Sequence, residues 1–176
     1  MARQQKPEAI ESATPETSCK SLFECVAGYL DTNDWNYTAN EEKKFFSMGC
    51  HLKDANVRVL MDVSESADWR QVLVYVVFPV FIPEHRRIAV TESLARINYA
   101  LTFGNLEMDL KDGEVRVRTT VESNGALGDA MIDRVLNSAL GVANRYLAPI
   151  IAVAFGNAAP DTVLDLVTRQ DNATLQ

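Results

Sequence analysis

Apolar positions along the chain recur first at helical spacing, then in alternation, then at helical spacing again. Leu22, Val26, Tyr29 and Leu30 share one helical face. They predict a helix over Glu16–Leu30, with Thr14 as N-cap, Pro15 in the first turn, and Asp31-Thr32-Asn33-Asp34 as the turn that ends it. Alternation follows. Phe46, Met48, Cys50 and Leu52 line one side of a strand over Lys44–Leu52. Val57, Val59, Met61 and Val63 do the same over Val57–Val63, with Arg58 and Asp62 pointing away and Lys53-Asp54-Ala55-Asn56 as the hairpin loop. Ser64–Asp68 is polar and turns the chain into a third strand, Trp69–Ile82. Pro83 opens a helix whose stripe is Val90, Leu94, Ile97 and Leu101, and Gly104 lies past its end, where a left-handed residue is common.

Leu106–Leu110 and Glu114–Val121 alternate strictly around Asp112-Gly113, a strong hairpin signal. A two-residue turn there places Glu107 opposite Arg118, Asp109 opposite Arg116 and Lys111 opposite Glu114. Met108 then faces Val117, and Leu110 faces Val115. The charged face reads as solvent-exposed salt pairing. A long apolar stripe from Ile132 through Ile151 predicts a helix from about Gly128 to Phe155, with Pro149 as a kink or break, and Asp161–Thr168 is a short tail helix. The fold class is α+β, in the order α-β-β-β-α-β-β-α, an antiparallel sheet packed on one face by helices. Residues 1–15 read as a disordered arm, 16–156 as the domain and 157–176 as a tail.

The third strand is apolar on both faces. Val72, Val74, Val76, Phe78 and Val80 lie on one, and Trp69, Leu73, Tyr75, Val77 and Phe81 on the other. Helices account for one face. The other needs a cover, since large exposed apolar patches mark interaction sites. The tail helix, a second copy or a client peptide could supply it. Aromatics are enriched at interface cores, so Trp69, Leu73, Tyr75, Val77 and Phe81 are the candidate protein-binding residues.

Composition narrows the function. The chain has 176 residues, 47% hydrophobic and 23% charged, with net charge −7. That is the size of one domain. The chain lacks the basic stripe of a nucleic-acid binder, and Arg86-Arg87 reads as a solvated helix start. No uninterrupted apolar run reaches a membrane span, and the polar N-terminus lacks the core of a secretory signal, so the expected location is the cytosol. Cys19, Cys25 and Cys50 are odd in number and read as free thiols. Neither phosphate-cradling glycine motif occurs, nor H-E-x-x-H, C-x-x-C or G-x-S-x-G. Cys50 and His51 are adjacent on a strand and point to opposite faces, which disfavours a shared metal. No catalytic residue, metal ligand or cofactor is singled out. A carboxylate-based or cofactor-dependent enzyme is the alternative to a binding domain.

One segment resembles a known family. Pro83-Glu84, Asn98, Gly104-Asn105-Leu106-Glu107, Asp112-Gly113-Glu114-Val115 and Arg118 are similar to the YbjN family. So are Trp35-x-Tyr37 and the ending Asn144–Gly156. The resemblance spans roughly residues 18–156. It implies the fold of type III secretion chaperones, frequent homodimers and a chaperone-like or regulatory binding role, with no catalytic residues to carry over.

Overall fold

The computed structural model describes residues 21–174, with side chains to residue 169. The predicted order is present, with one further short strand. The elements are α1 (Leu22–Thr32), β1 (Tyr37–Asn40), β2 (Phe45–His51), β3 (Asn56–Glu65), β4 (Arg70–Phe81), α2 (Arg87–Ala100), β5 (Asn105–Met108), β6 (Glu114–Ser123), α3 (Asp129–Phe155) and α4 (Val163–Thr174). Single 3₁₀ turns precede α2 and α4.

The strands form one antiparallel sheet in the order β1-β2-β3-β4-β6-β5. Alternation along each strand sends Phe46, Met48, Val57, Val59, Met61, Val63, Val72, Val74, Val76, Val115 and Val117 to one side, where all are buried. α1, α2 and α3 lie on that side, and α4 packs outside α2 and α3. Each fully buried branched side chain there contributes about 1.5–3 kcal/mol of transfer free energy. Hydroxyls inside this core are satisfied locally: Thr119 donates to the carbonyl of Val135 at 3.2 Å, and Ser93 to that of Ala89 at 3.1 Å.

Several boundaries differ from expectation for identifiable reasons. The predicted cap at Thr14 and the start at Glu16 lie outside the described residues. The described helix begins at Leu22 because Ser21 is extended and forms a capping box with Glu24. α1 also runs on to Thr32, and the turn follows at Asn33 and Asp34, the latter left-handed with φ 55°. Pro149 sits buried inside an unbroken 27-residue α3. α3 is, by length and composition, the one described helix apolar enough to cross a bilayer, a property that counting uninterrupted apolar runs misses. Here it lies against β4 and β6.

Arg86 and Arg87 are half-exposed, but their guanidinium groups are tied to backbone carbonyls rather than held by solvent alone. Arg86 donates to the carbonyls of Val153 and Ala158, closing the C-terminus of α3. Arg87 donates to the carbonyls of Ile82, Leu110, Lys111 and Asp112. The β5–β6 connection that Arg87 gathers is longer than two residues. Glu107 pairs with Arg116 and Met108 with Val115, a slip of two positions from the expected register. A two-residue slip preserves facing within the strands, so every backbone partner changes while Glu107 still reaches Arg118; Leu110, expected on the apolar side, falls in the loop and is exposed. The longer loop is held by the Gly113 amide donating to the Asp109 carbonyl at 2.7 Å and by Asp109 and Asp112 side chains accepting from Lys111 and Glu114 amides.

Candidate functional site

The helices cover one side of the sheet and leave the other without a covering element among the described residues. The register places the open side's residues in rows across the strands. One row runs Phe45, Asp62, Leu73, Thr120. The next runs Ser47, Leu60, Tyr75, Arg118, Asn105, and the third Gly49, Arg58, Val77, Arg116, Glu107. Phe81 lies beyond, paired with Glu114. Leu73, Tyr75 and Val77 therefore stand consecutively in the middle of the open face, as the alternation predicts.

Phe81 reaches the same face by a different route. Between Val77 and Phe81 the β4 strand carries two residues more than β6 does. Pro79, which has no amide proton to donate, falls in that irregular stretch. Trp69 precedes β4. Its carbonyl accepts from the Ser66 amide at 2.7 Å to close a tight turn, and its ring is half-buried at the end of the face. The five candidate residues are thus not one continuous stripe. Three are central, Phe81 sits past the irregularity at 63% exposure, and Trp69 lies at the turn.

The face is less bare than its sequence suggests, because arginines lie over it. Val77 is only 6% exposed and sits in register between Arg58 and Arg116. The Arg116 guanidinium lies over the Tyr75 ring. The same guanidinium holds Glu107, with contacts of 3.0 and 3.1 Å, while Arg118 and Asn105 reach the other carboxylate oxygen at 3.1 and 3.2 Å. Burial alone would raise the Glu107 carboxyl, but the bonds from Arg118, Arg116 and Asn105 outweigh it and leave the group lowered. Asp62 shows the opposite balance. Burial raises it, and the charge of Arg116 only partly offsets this. Arg58 makes a looser ion pair with Glu114 at 3.6 Å.

A broad trough of about 850 Å³ opens at one end of this face, lined by Thr38, Ser47, Gly49, Arg58, Val77 and Phe81 among others. Gly49 leaves its floor empty, since a Cβ added there would meet nothing within 4 Å. Sequence alternation predicted that Arg58 and Asp62 face this way. It could not place Leu60 and Arg116 beside β4, or Phe45 and Gly49 one strand further out in the same rows, because neighbourhood across strands depends on register. A second groove of about 740 Å³ lies between α1 and α3. There the Tyr29 hydroxyl donates to Asp133 at 2.8 Å, and burial together with that carboxylate raises the phenol.

Cys50 is half-buried, its thiol pushed up by burial, and His51 is exposed with Nδ1 2.8 Å from the Asn56 side-chain oxygen. Among the described residues no group of three or more His, Cys, Asp or Glu side chains converges to hold a metal. The tail helix does not cover the open face. Val163 and Val167 are buried where α4 meets α2 and α3, on the opposite side of the sheet. Among the described residues, that removes the tail helix from the three covers the sequence allows.

The architecture is that of an α+β domain with a one-sided sheet and a mixed apolar and paired-charge open face. The family model YbjN, described as "Putative bacterial sensory transduction regulator", matches residues 23–152, about three quarters of the chain. The chain belongs to the YbjN family. No curated protein matches it.

Proposed function

We propose that this chain is a non-enzymatic protein-binding domain, chaperone-like or a regulatory adaptor, that receives a polypeptide on the open face of its sheet. The observation that carries the reading is the arrangement of Leu60, Leu73, Tyr75, Val77 and Phe81 in adjoining rows on a side that no described helix covers. The family's description as a regulator supports a binding role. Two of the carboxylates around the stripe are held by arginines, Glu107 by two and Glu114 by Arg58, whereas Asp62 beside Leu73 is favoured neutral by its burial. A partner can therefore dock on the apolar centre without leaving these charges unpaired, which is the main cost of burying ions. The proposed setting is the cytosol, and the partner a protein rather than a nucleic acid or a membrane.

The test uses tagged full-length protein in its native cell, with bound proteins quantified by mass spectrometry. Wild type is compared with Tyr75→Asp and Gly49→Leu. The first places a charge in the stripe, and the second fills the trough with no clash at its Cβ. Partners retained by wild type and lost from both variants support the reading. A bound set indifferent to both variants contradicts it.

A further inference from the structure

The chain enters the fold beside one end of the open face. Ser21 is extended and caps α1, so the backbone leaves the helix axis there. The Leu22 amide donates to the Glu65 carboxylate at 2.9 Å, and Glu65 stands opposite Arg70 where β3 turns into β4. Residues 1–20 therefore start at the same sheet end as Trp69, and the open face runs away from them from Trp69 to Phe81. Twelve residues of strand make that face about 40 Å long. Rounding the sheet end takes about 10 Å more, and twenty residues of extended chain reach about 66 Å.

We infer that residues 1–20 are a resident strap, which lies along the open face of its own chain and must be displaced before another polypeptide docks there. The charges fit in that direction. Reading back from Ser21, the segment carries Glu16, Glu11 and Glu8, and then Lys6 and Arg3. Along the face, the rows of Tyr75 and Val77 hold Arg118, Arg58 and Arg116, and Glu114 follows in the row of Phe81. At about 3.3 Å per residue, Glu11 and Ile10 come level with Tyr75 and Val77, and Lys6 with Phe81. Acid thus meets base, and further along base meets acid. The Arg58 and Arg118 side chains are 59% and 47% exposed, so an arriving carboxylate finds room at both. Ile10 is the segment's one Val, Leu, Ile or aromatic residue, and it falls at the apolar centre, beside Leu60 and Val77.

The strap rests on the reading of this face as a polypeptide-binding surface, and it needs no second protein. Tethering gives it a local concentration on the order of millimolar, so weak contacts hold it and a tighter partner displaces it. α4 packs on the opposite side of the sheet and does not compete for the face.

Purified full-length chain with a photoreactive aliphatic amino acid in place of Ile10 tests it. Light and isotope-heavy chains are mixed in equal amounts, so that mass spectrometry separates crosslinks within one chain from crosslinks between two. Crosslinks within one chain, to residues 58–60 or 75–77, are the expected result. The double variant Glu8→Lys, Glu11→Lys is expected to cut their yield by about fivefold or more. A labelled peptide of residues 1–20 is expected to bind that double variant about fivefold or more tighter than wild type, whose own strap blocks the site. Crosslinks away from the open face overturn the inference. So do crosslinks mainly between light and heavy chains, a yield indifferent to the double variant, or equal peptide binding to both proteins. None of these readouts uses partners from the native cell, so failure of the strap and failure to capture another protein are told apart.

Discussion

The guanidinium of Arg116 lies 4.2 Å from the centroid of the Tyr75 ring, on the one side of the sheet that no described helix covers. The contact joins the apolar stripe to the ion-pair network, because the same arginine also binds Glu107. A double-mutant cycle with Tyr75→Leu and Arg116→Met, read by chemical denaturation, is expected to give a coupling of about 0.5–1 kcal/mol. A coupling near zero shows that the ring and the guanidinium are neighbours without a shared energy.

The loop between β5 and β6 depends on Gly113. Its φ is 86°, and an added Cβ would lie 2.3 Å from the Ile82 carbonyl oxygen and 2.8 Å from the Ile82 nitrogen, both backbone atoms. Gly113→Ala is expected to cost about 2 kcal/mol or more, from left-handed strain and displacement of a backbone contact together. Gly49→Ala is the control, with open space around the added methyl and a cost expected below about 1 kcal/mol. Thermal unfolding of both variants checks the contrast.

The Asp-Gly hairpin shows how far the sequence could be read. Within β5 and β6 alternation showed which residues face the core and which face outward, because that depends only on period two, but it failed at Leu110, which lies in the loop and is exposed. Register did not follow, since it depends on loop length, and Arg87 draws three loop carbonyls into a longer connection than Asp-Gly alone implies. The same limit applies to the open face. Tyr75 and Val77 were placed correctly from β4 alone. Arg116, which covers the ring, comes from another strand and could be found only once the β4–β6 pairing was known. The strand Tyr37–Asn40 has four residues and too little alternation to announce itself. Gly104 reads from sequence as a helix-end residue, and Asn98 enters only as part of the family resemblance. In the fold Asn98 locks the β5 backbone, and Gly104, left-handed at φ 72°, lets the chain pass close to Thr119.

Asn98 makes a direct test of edge closure. Asn98→Ala removes both bonds to Leu106 and is expected to destabilise the fold by about 1–3 kcal/mol. Hydrogen exchange at the Leu106 amide is expected to accelerate more than at Val117, on the central partner strand. Equal acceleration at both points to global loss of stability instead.

Two carboxyls on the open face carry opposite pH signatures. Glu107 is lowered in the fold, so its contribution is present above the unfolded value of 4.5 and is lost as pH falls through the folded value. Glu107→Gln is expected to cost about 1 kcal/mol at neutral pH and to become indistinguishable from wild type in acid. Asp62 is raised from 3.8, so its ionised form is disfavoured by folding, and the penalty applies at high pH and disappears as pH falls. Asp62→Asn is expected to stabilise at neutral pH, with the gain vanishing in acid. Unfolding midpoints across the acid range decide both, and parallel pH profiles for the two variants contradict the assignment.

The central claim is that a polypeptide lies across Leu73, Tyr75, Val77 and Phe81. Photo-crosslinking in the native cell measures this directly, with a photoreactive amino acid placed at Phe81 on the open face or, as a control, at Phe155 in the helical layer. A crosslinked protein of another kind, formed from position 81 and absent from position 155, is the expected result. Position 81 joining only to its own chain, or joining no more to other proteins than position 155 does, contradicts the account.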